Sequence, residues 1–184
     1  MKIFKPLTIK EANENSKTIF TNLKSKIGML PILYATMGVS DKLLGGYLAF
    51  TDSLKSGEFT AKEYEAIALA TSQANDCAYC LSAHTAIGKM NGFTEEETLQ
   101  LRDNSIADAS LNAIVTLVSE LISKKGHPSE TAVQNFLNAG YNKAAFAELI
   151  AIVSLTTITN NIYHNGGFEI DFPKAQNINS HELV

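Results

Sequence analysis

The 184-residue sequence holds two cysteines, Cys77 and Cys80, with His84 one helical turn further on and Glu65 upstream in the pattern E-x11-C-x2-C-x3-H. Thiolate, not thiol, is the reactive form of cysteine, and it is favoured where backbone amides and the positive end of a helix converge. Asn75 or Asp76 is the expected N-cap, which places both cysteines in the first turn of the following helix. Residues four apart share a helical face, so His84 falls beneath Cys80, where an imidazole can take the thiol proton or return one to a leaving oxygen. Cys77 lies on the same side, close enough to trap a sulfenic acid formed on its neighbour. Asp76 opposes ionisation of Cys77 while His84 assists Cys80, so Cys80 is read as the nucleophile and Cys77 as the resolving thiol.

Glu65 completes the set. The nearby Glu63 is accounted for by a capping box with Thr60, whereas Glu65 opens the apolar run Ala66–Ala70 and has no surface explanation. A carboxylate at the edge of a buried helix has either a structural cation or a proton-transfer partner, and both readings stay open for Glu65.

The elements that must position these residues are all helical. Thr8 with Glu11, Thr60 with Glu63 and Thr94 with Glu97 have capping-box spacing. Helical periodicity runs over roughly 9–27, 31–38, 41–56, 61–74, 77–91, 95–103, 109–125, 129–139 and 143–163. Gly57, Gly92, Gly126, Gly140 and Gly166 stand where left-handed C-terminal caps are expected. Strand-like alternation is missing, and Ala66–Thr71 and Phe146–Thr157 are apolar or small nearly all round, as core helices are. One all-α domain over 1–184 is expected, with its redox core at about 60–125 and a loose polar tail over 175–184.

Composition narrows the function further. Fifteen Lys and Arg against nineteen Asp and Glu give a net charge of −4 with no basic stripe, which argues against nucleic acid. Met1–Lys17 lacks the apolar segment of a secretory signal, and the apolar stretch Ala144–Leu155 is broken by Glu148 and shorter than the ~20 residues of a membrane span. A cytoplasmic protein without membrane contact is the expectation, and a lone C-x-x-C in that setting means redox chemistry, a metal, or chance, in which case the cysteines are two small buried core residues. Zinc would need a fourth ligand beside Cys77, Cys80 and His84, brought from afar by His127 or His164. His127 and His181 read as solvated, and His164 as a satisfied helix-end residue; Met29, Met37, Tyr34, Tyr47 and Phe50 read as packing before substrate contact.

The four-residue pattern resembles the signature of the alkylhydroperoxidase D and carboxymuconolactone decarboxylase superfamily, all-helical proteins that usually form homo-oligomers. Glu63–Glu97 resembles the core of that superfamily, and Asn160–Pro173, NNIYHNGGFEIDFP, resembles the end of its longer peroxidase-related members. The resemblance implies reduction of a small-molecule hydroperoxide without metal or organic cofactor, in which Cys80 attacks, Cys77 closes a disulfide, His84 and Glu65 relay protons, and a thiol or lipoyl-type protein resupplies electrons. Peroxidases of this type carry a second histidine just before the nucleophile, where this chain has Tyr79. That departure keeps a redox sensor or non-catalytic oligomer in view, as does a lactone decarboxylase, which requires no thiol pair.

Overall fold

In the computed structural model, which describes residues 2–178, nine helices and no strands are found among the described residues. They are α1 (Glu14–Ile27), α2 (Ile32–Met37), α3 (Asp41–Leu54), α4 (Ala61–Ala74), α5 (Ala78–Met90), α6 (Glu95–Asp103), α7 (Ala109–Ser123), α8 (Glu130–Asn138) and α9 (Lys143–Gly166).

Local chemistry sets most of the boundaries. Thr60 and Thr94 close reciprocal capping boxes with Glu63 and Glu97, satisfying amides that the first helical turn leaves free. The third predicted box behaves differently. Glu11 accepts hydrogen bonds from both the amide and the hydroxyl of Thr8, but the pair closes a single isolated turn. Asn13 takes the Ser16 amide instead, so α1 begins at Glu14 rather than near residue 9. At the C-terminal caps, Gly92, Gly126 and Gly140 are left-handed as expected, whereas Gly166 stays in α9 and Gly167 makes the turn at φ 59°. Gly57 is not left-handed either: it is small because the Glu148 carboxylate, which accepts the Glu58 amide at 2.7 Å, occupies the space a Cβ would need.

Two apolar cores result. The larger surrounds α4, which packs on α5, α6, α7 and α9, and it contains Ile67, Leu69, Ile114, Leu117, Leu149 and Phe136. Each side chain of that size contributes about 1.5–3 kcal/mol when withdrawn from water. The smaller core joins α1–α3 to the start of α5 and the end of α9 through Phe20, Met37, Leu44 and Ile162, and the two cysteines belong to it.

Helix α9 is long and apolar enough to cross a membrane by length and composition alone, reaching further than the stretch read from sequence. Its inward face nevertheless supplies Leu149, Ile152 and Leu155 to one core and Ile162 to the other. The chain after it is less loose than expected: the Ala175 amide donates to Ser82 Oγ at 3.2 Å, and Arg102 donates to the Gln176 carbonyl at 2.7 Å. The rest of the expected tail, His181 included, lies outside the described residues.

Candidate redox site

Helix α4 ends at Ala74, and the chain reverses through Asn75 and a left-handed Asp76 at φ 56°. The N-cap of α5 is then Cys77 itself, not Asn75 or Asp76: its sulfur accepts the Cys80 amide at 3.3 Å. Cys80 sits in the first turn as expected, and the two sulfurs are joined as a disulfide with Cα atoms 5.3 Å apart. That separation lies within the range a disulfide spans without backbone distortion.

Glu65, near the start of α4, and His84, in the middle of α5, meet across the helix pair, with Nδ1 2.7 Å from a Glu65 carboxylate oxygen. An ionised carboxylate only accepts, so Nδ1 carries the hydrogen and Nε2 of a neutral imidazole is left with a free lone pair. The pair is largely enclosed, with side-chain exposures of 19% for His84 and 9% for Glu65. A histidine therefore answers the question left open for Glu65, in place of a lysine or arginine. Three phenols stand around this carboxylate. Burial first, and then the negative charge of Glu65, raise Tyr34 and bring Tyr64 to about 12. Tyr47 is also raised, by burial and by its phenolic neighbours, with Glu65 adding to the effect.

Both sulfurs are buried, Cys77 fully and Cys80 at 2% exposure. Low exposure conflicts with the ordinary surroundings of a reactive thiol, which is partly accessible. Of the four expected site residues, His84 is the one that reaches solvent.

Helix α9 holds the turn that carries the disulfide. The Asn75 side-chain amide donates to Thr157 Oγ1 and Asn160 Oδ1, His164 Nε2 lies 2.7 Å from the Asn75 carbonyl, and Thr159 Oγ1 is 3.9 Å from Cys80 Sγ. His164 is thus a satisfied helix-end residue that positions the turn. Thr159 and Asn160 are not evident in the sequence as site residues; their signal is a run of hydroxyls and amides, Thr156–Asn161, inside an otherwise apolar helix.

Tyr79 does not substitute for a relay histidine. Its ring is buried edge-on against Phe168 and Phe172, and burial followed by the facing Asp171 carboxylate pushes its hydroxyl well up. Asp171 in turn accepts the Ile32 amide at 2.8 Å, capping α2, whose own N-cap residue is a proline. Tyr79 therefore anchors the C-terminal segment. Met37, Tyr34 and Tyr47 pack in the smaller core, while Met29, Phe50 and His127 are exposed. Among the described residues, no three His, Cys, Asp or Glu side chains are grouped as ligands for one metal ion.

Residues 42–122, which contain α4, α5 and all four site residues, match the carboxymuconolactone decarboxylase family. The segment that carries the site is therefore similar to that family. The likeness in fold extends well beyond the matched segment. A peroxidase-related protein from Ralstonia eutropha, described as having an alkylhydroperoxidase AhpD core, superposes with a TM-score of 0.80 at 20% identity, covering 93% of this chain and 94% of that one. For a peroxidase-related protein from a Silicibacter species the values are 0.78, 18%, 95% and 95%. For the debrominase Bmp8 they are 0.77, 18%, 93% and 93%, and a cysteine-to-alanine variant of that enzyme has been solved in complex with 2,3,4-tribromopyrrole. At such identities the fold is shared, while substrates are not thereby transferred. No curated protein is significantly similar in sequence.

Proposed function

We propose that this protein is a thiol-dependent hydroperoxide reductase working through Cys77, Cys80, His84 and Glu65. The observation that carries the reading is the 2.7 Å Glu65–His84 contact beside a cysteine pair at a helix N-terminus, residues otherwise remote in the chain. In the reduced protein His84 Nε2 takes the Cys80 proton as the sulfur attacks one peroxide oxygen. The O–O bond breaks and the alcohol leaves with that proton, giving a sulfenic acid on Cys80. Cys77 then attacks that sulfur, water departs, and the disulfide forms. A thiol or lipoyl-type protein supplies the two electrons and two protons that reopen it.

The test is a single turnover of reduced protein with one equivalent of an organic hydroperoxide, followed by alkylation and mass spectrometry. One disulfide should form per peroxide consumed; Cys77→Ser should accumulate the Cys80 sulfenic acid, and Cys80→Ser should consume none. Unimpaired consumption by Cys80→Ser overturns the mechanism. A parallel arm with a brominated pyrrole separates peroxide reduction from dehalogenation, since a dithiol supplies two electrons to either.

The burial of both sulfurs favours a second reading, a redox switch that changes packing without turnover. Sustained cycling with a dithiol reductant excludes it, and a single stoichiometric oxidation followed by arrest supports it. Association into a homo-oligomer is the companion proposal, supported by the exposed Phe50 of α3 and Ile150 and Ile158 of α9.

A further inference from the structure

The dithiol reading, on which this inference rests, leaves open where the protons of the reduced pair sit. The two sulfurs have different polar surroundings. Cys77 Sγ occupies the N-cap of α5 and accepts the Cys80 amide at 3.3 Å, an arrangement that favours negative charge through a backbone donor and the helix dipole together. Cys80 Sγ has the Thr159 hydroxyl oxygen 3.9 Å away, contributed by α9 from 79 residues further along the chain.

The hydrogen of that hydroxyl is already committed. Thr159 Oγ1 donates to the Thr156 carbonyl at 2.7 Å, so the oxygen presents lone pairs to the sulfur. Thr159 is 2% exposed and Cys80 equally buried, leaving little room for water to rearrange the contact. A lone pair facing a buried sulfur accommodates an S–H and opposes S⁻.

We infer that Thr159 is a positioning residue that holds Cys80 as a protonated thiol in the reduced protein, so that the resting negative charge of the pair lies on Cys77. Cys80 then ionises when His84 withdraws its proton, and the resolving sulfur is already a thiolate when the sulfenic acid forms. This gives the amide-capped cysteine and the cysteine one helical turn before His84 different parts in the cycle. The other titratable groups on the elements packed around the pair are Asp76 in the turn, Glu65 and His84 across α4 and α5, Tyr34, Tyr47, Tyr79 and Tyr163 in the same core, His164 on α9, and Asp171 against Tyr79. The Thr159 hydroxyl contacts Cys80 and the Thr156 carbonyl rather than any of these groups, so its substitution leaves their charges in place.

The experiment is a pH titration of both cysteines in reduced full-length protein labelled with 13Cβ-cysteine, a readout that needs no access to the buried sulfurs. In wild type, Cys77 should ionise at lower pH than Cys80. In Thr159→Val the thiolate fraction of Cys80 at fixed pH should rise, roughly two- to tenfold for a hydrogen bond of ordinary strength. Thr159→Ser, which keeps the oxygen, should return it towards wild type. A Thr159→Val titration in which Cys80 becomes harder to ionise shows the hydroxyl donating to a thiolate and overturns the inference; an unchanged titration, or Cys80 ionising first in wild type, does the same. If valine disturbs folding, as judged by circular dichroism, Thr159→Ala carries the comparison. Peroxide consumption, measured separately, bears on the enzymatic reading and leaves this proton order intact.

Discussion

Reducing the Cys77–Cys80 bond is expected to lower the melting temperature by only about 4–8 °C. The bond joins residues separated by three positions, so it closes a loop of four residues. Chain entropy for so small a loop amounts to about 6 cal/mol/K, or about 2 kcal/mol at 25 °C. For a chain of this length each kcal/mol moves the midpoint by about 2–4 °C. The assay is differential scanning calorimetry of oxidised protein against protein held in excess dithiol, with thiol content measured before and after the scan. A catalyst that opens this bond in every cycle needs its fold to survive the opening, and a small loop meets that need. A loss beyond about 15 °C would mark the disulfide as a structural staple and refute the reasoning, and a midpoint that stays or rises would refute the loop-entropy account.

Three further outcomes are expected. Glu65→Ala should cost about 1.5–3 kcal/mol in denaturant unfolding, because it removes the acceptor of a largely buried charged hydrogen bond to His84; a loss below about 0.5 kcal/mol would mean that water replaces the carboxylate freely. Thr60→Ala should cost about 1 kcal/mol by deleting a helix cap, whereas Thr8→Ala, which caps no helix, should change the same midpoint far less; equal effects would contradict the assignment. The Ser129 amide, followed by Lys124, brings the Glu120 carboxyl down to about 2, below the roughly 4.3 of an unfolded chain. Its contribution is therefore present above about pH 4.3 and lost as pH falls towards 2, so Glu120→Gln should flatten the acid limb of the stability curve in that window, and an unaltered limb would count against the contact.

The helices were legible because their signals are local. Thr60 with Glu63, Thr94 with Glu97, and the glycines after α5, α7 and α8 act within a few residues, and tertiary packing did not override them. Thr8 shows the limit: only the Glu11 side-chain half of its box formed, Asn13 offered a competing cap five residues later, and spacing alone does not rank two caps. Helical register left the partner of Glu65 open, because it relates residues within one helix and not across two; the pairing with His84 was implied by the family resemblance alone. The cap of α5 is misleading in the sequence because cysteine is a rare N-cap, and Asn75 and Asp76 are stronger candidates by type, one spent on ending α4 and the other on the left-handed turn. Burial of the sulfurs and the role of Thr159 were not legible, since both depend on which distant helices close over α5.

Placing the sulfurs in the smaller of the two apolar cores separates their protection from the stability of the molecule as a whole. Regions that share few side chains need not melt together, and the weaker one can loosen while the stronger holds. Transient breathing of α1–α3 would then be the gate through which an oxidant arrives. Amides in those helices should exchange with deuterium well before those of α4 and α7, and trapping of the reduced thiols by a small alkylating agent should keep pace with the faster set.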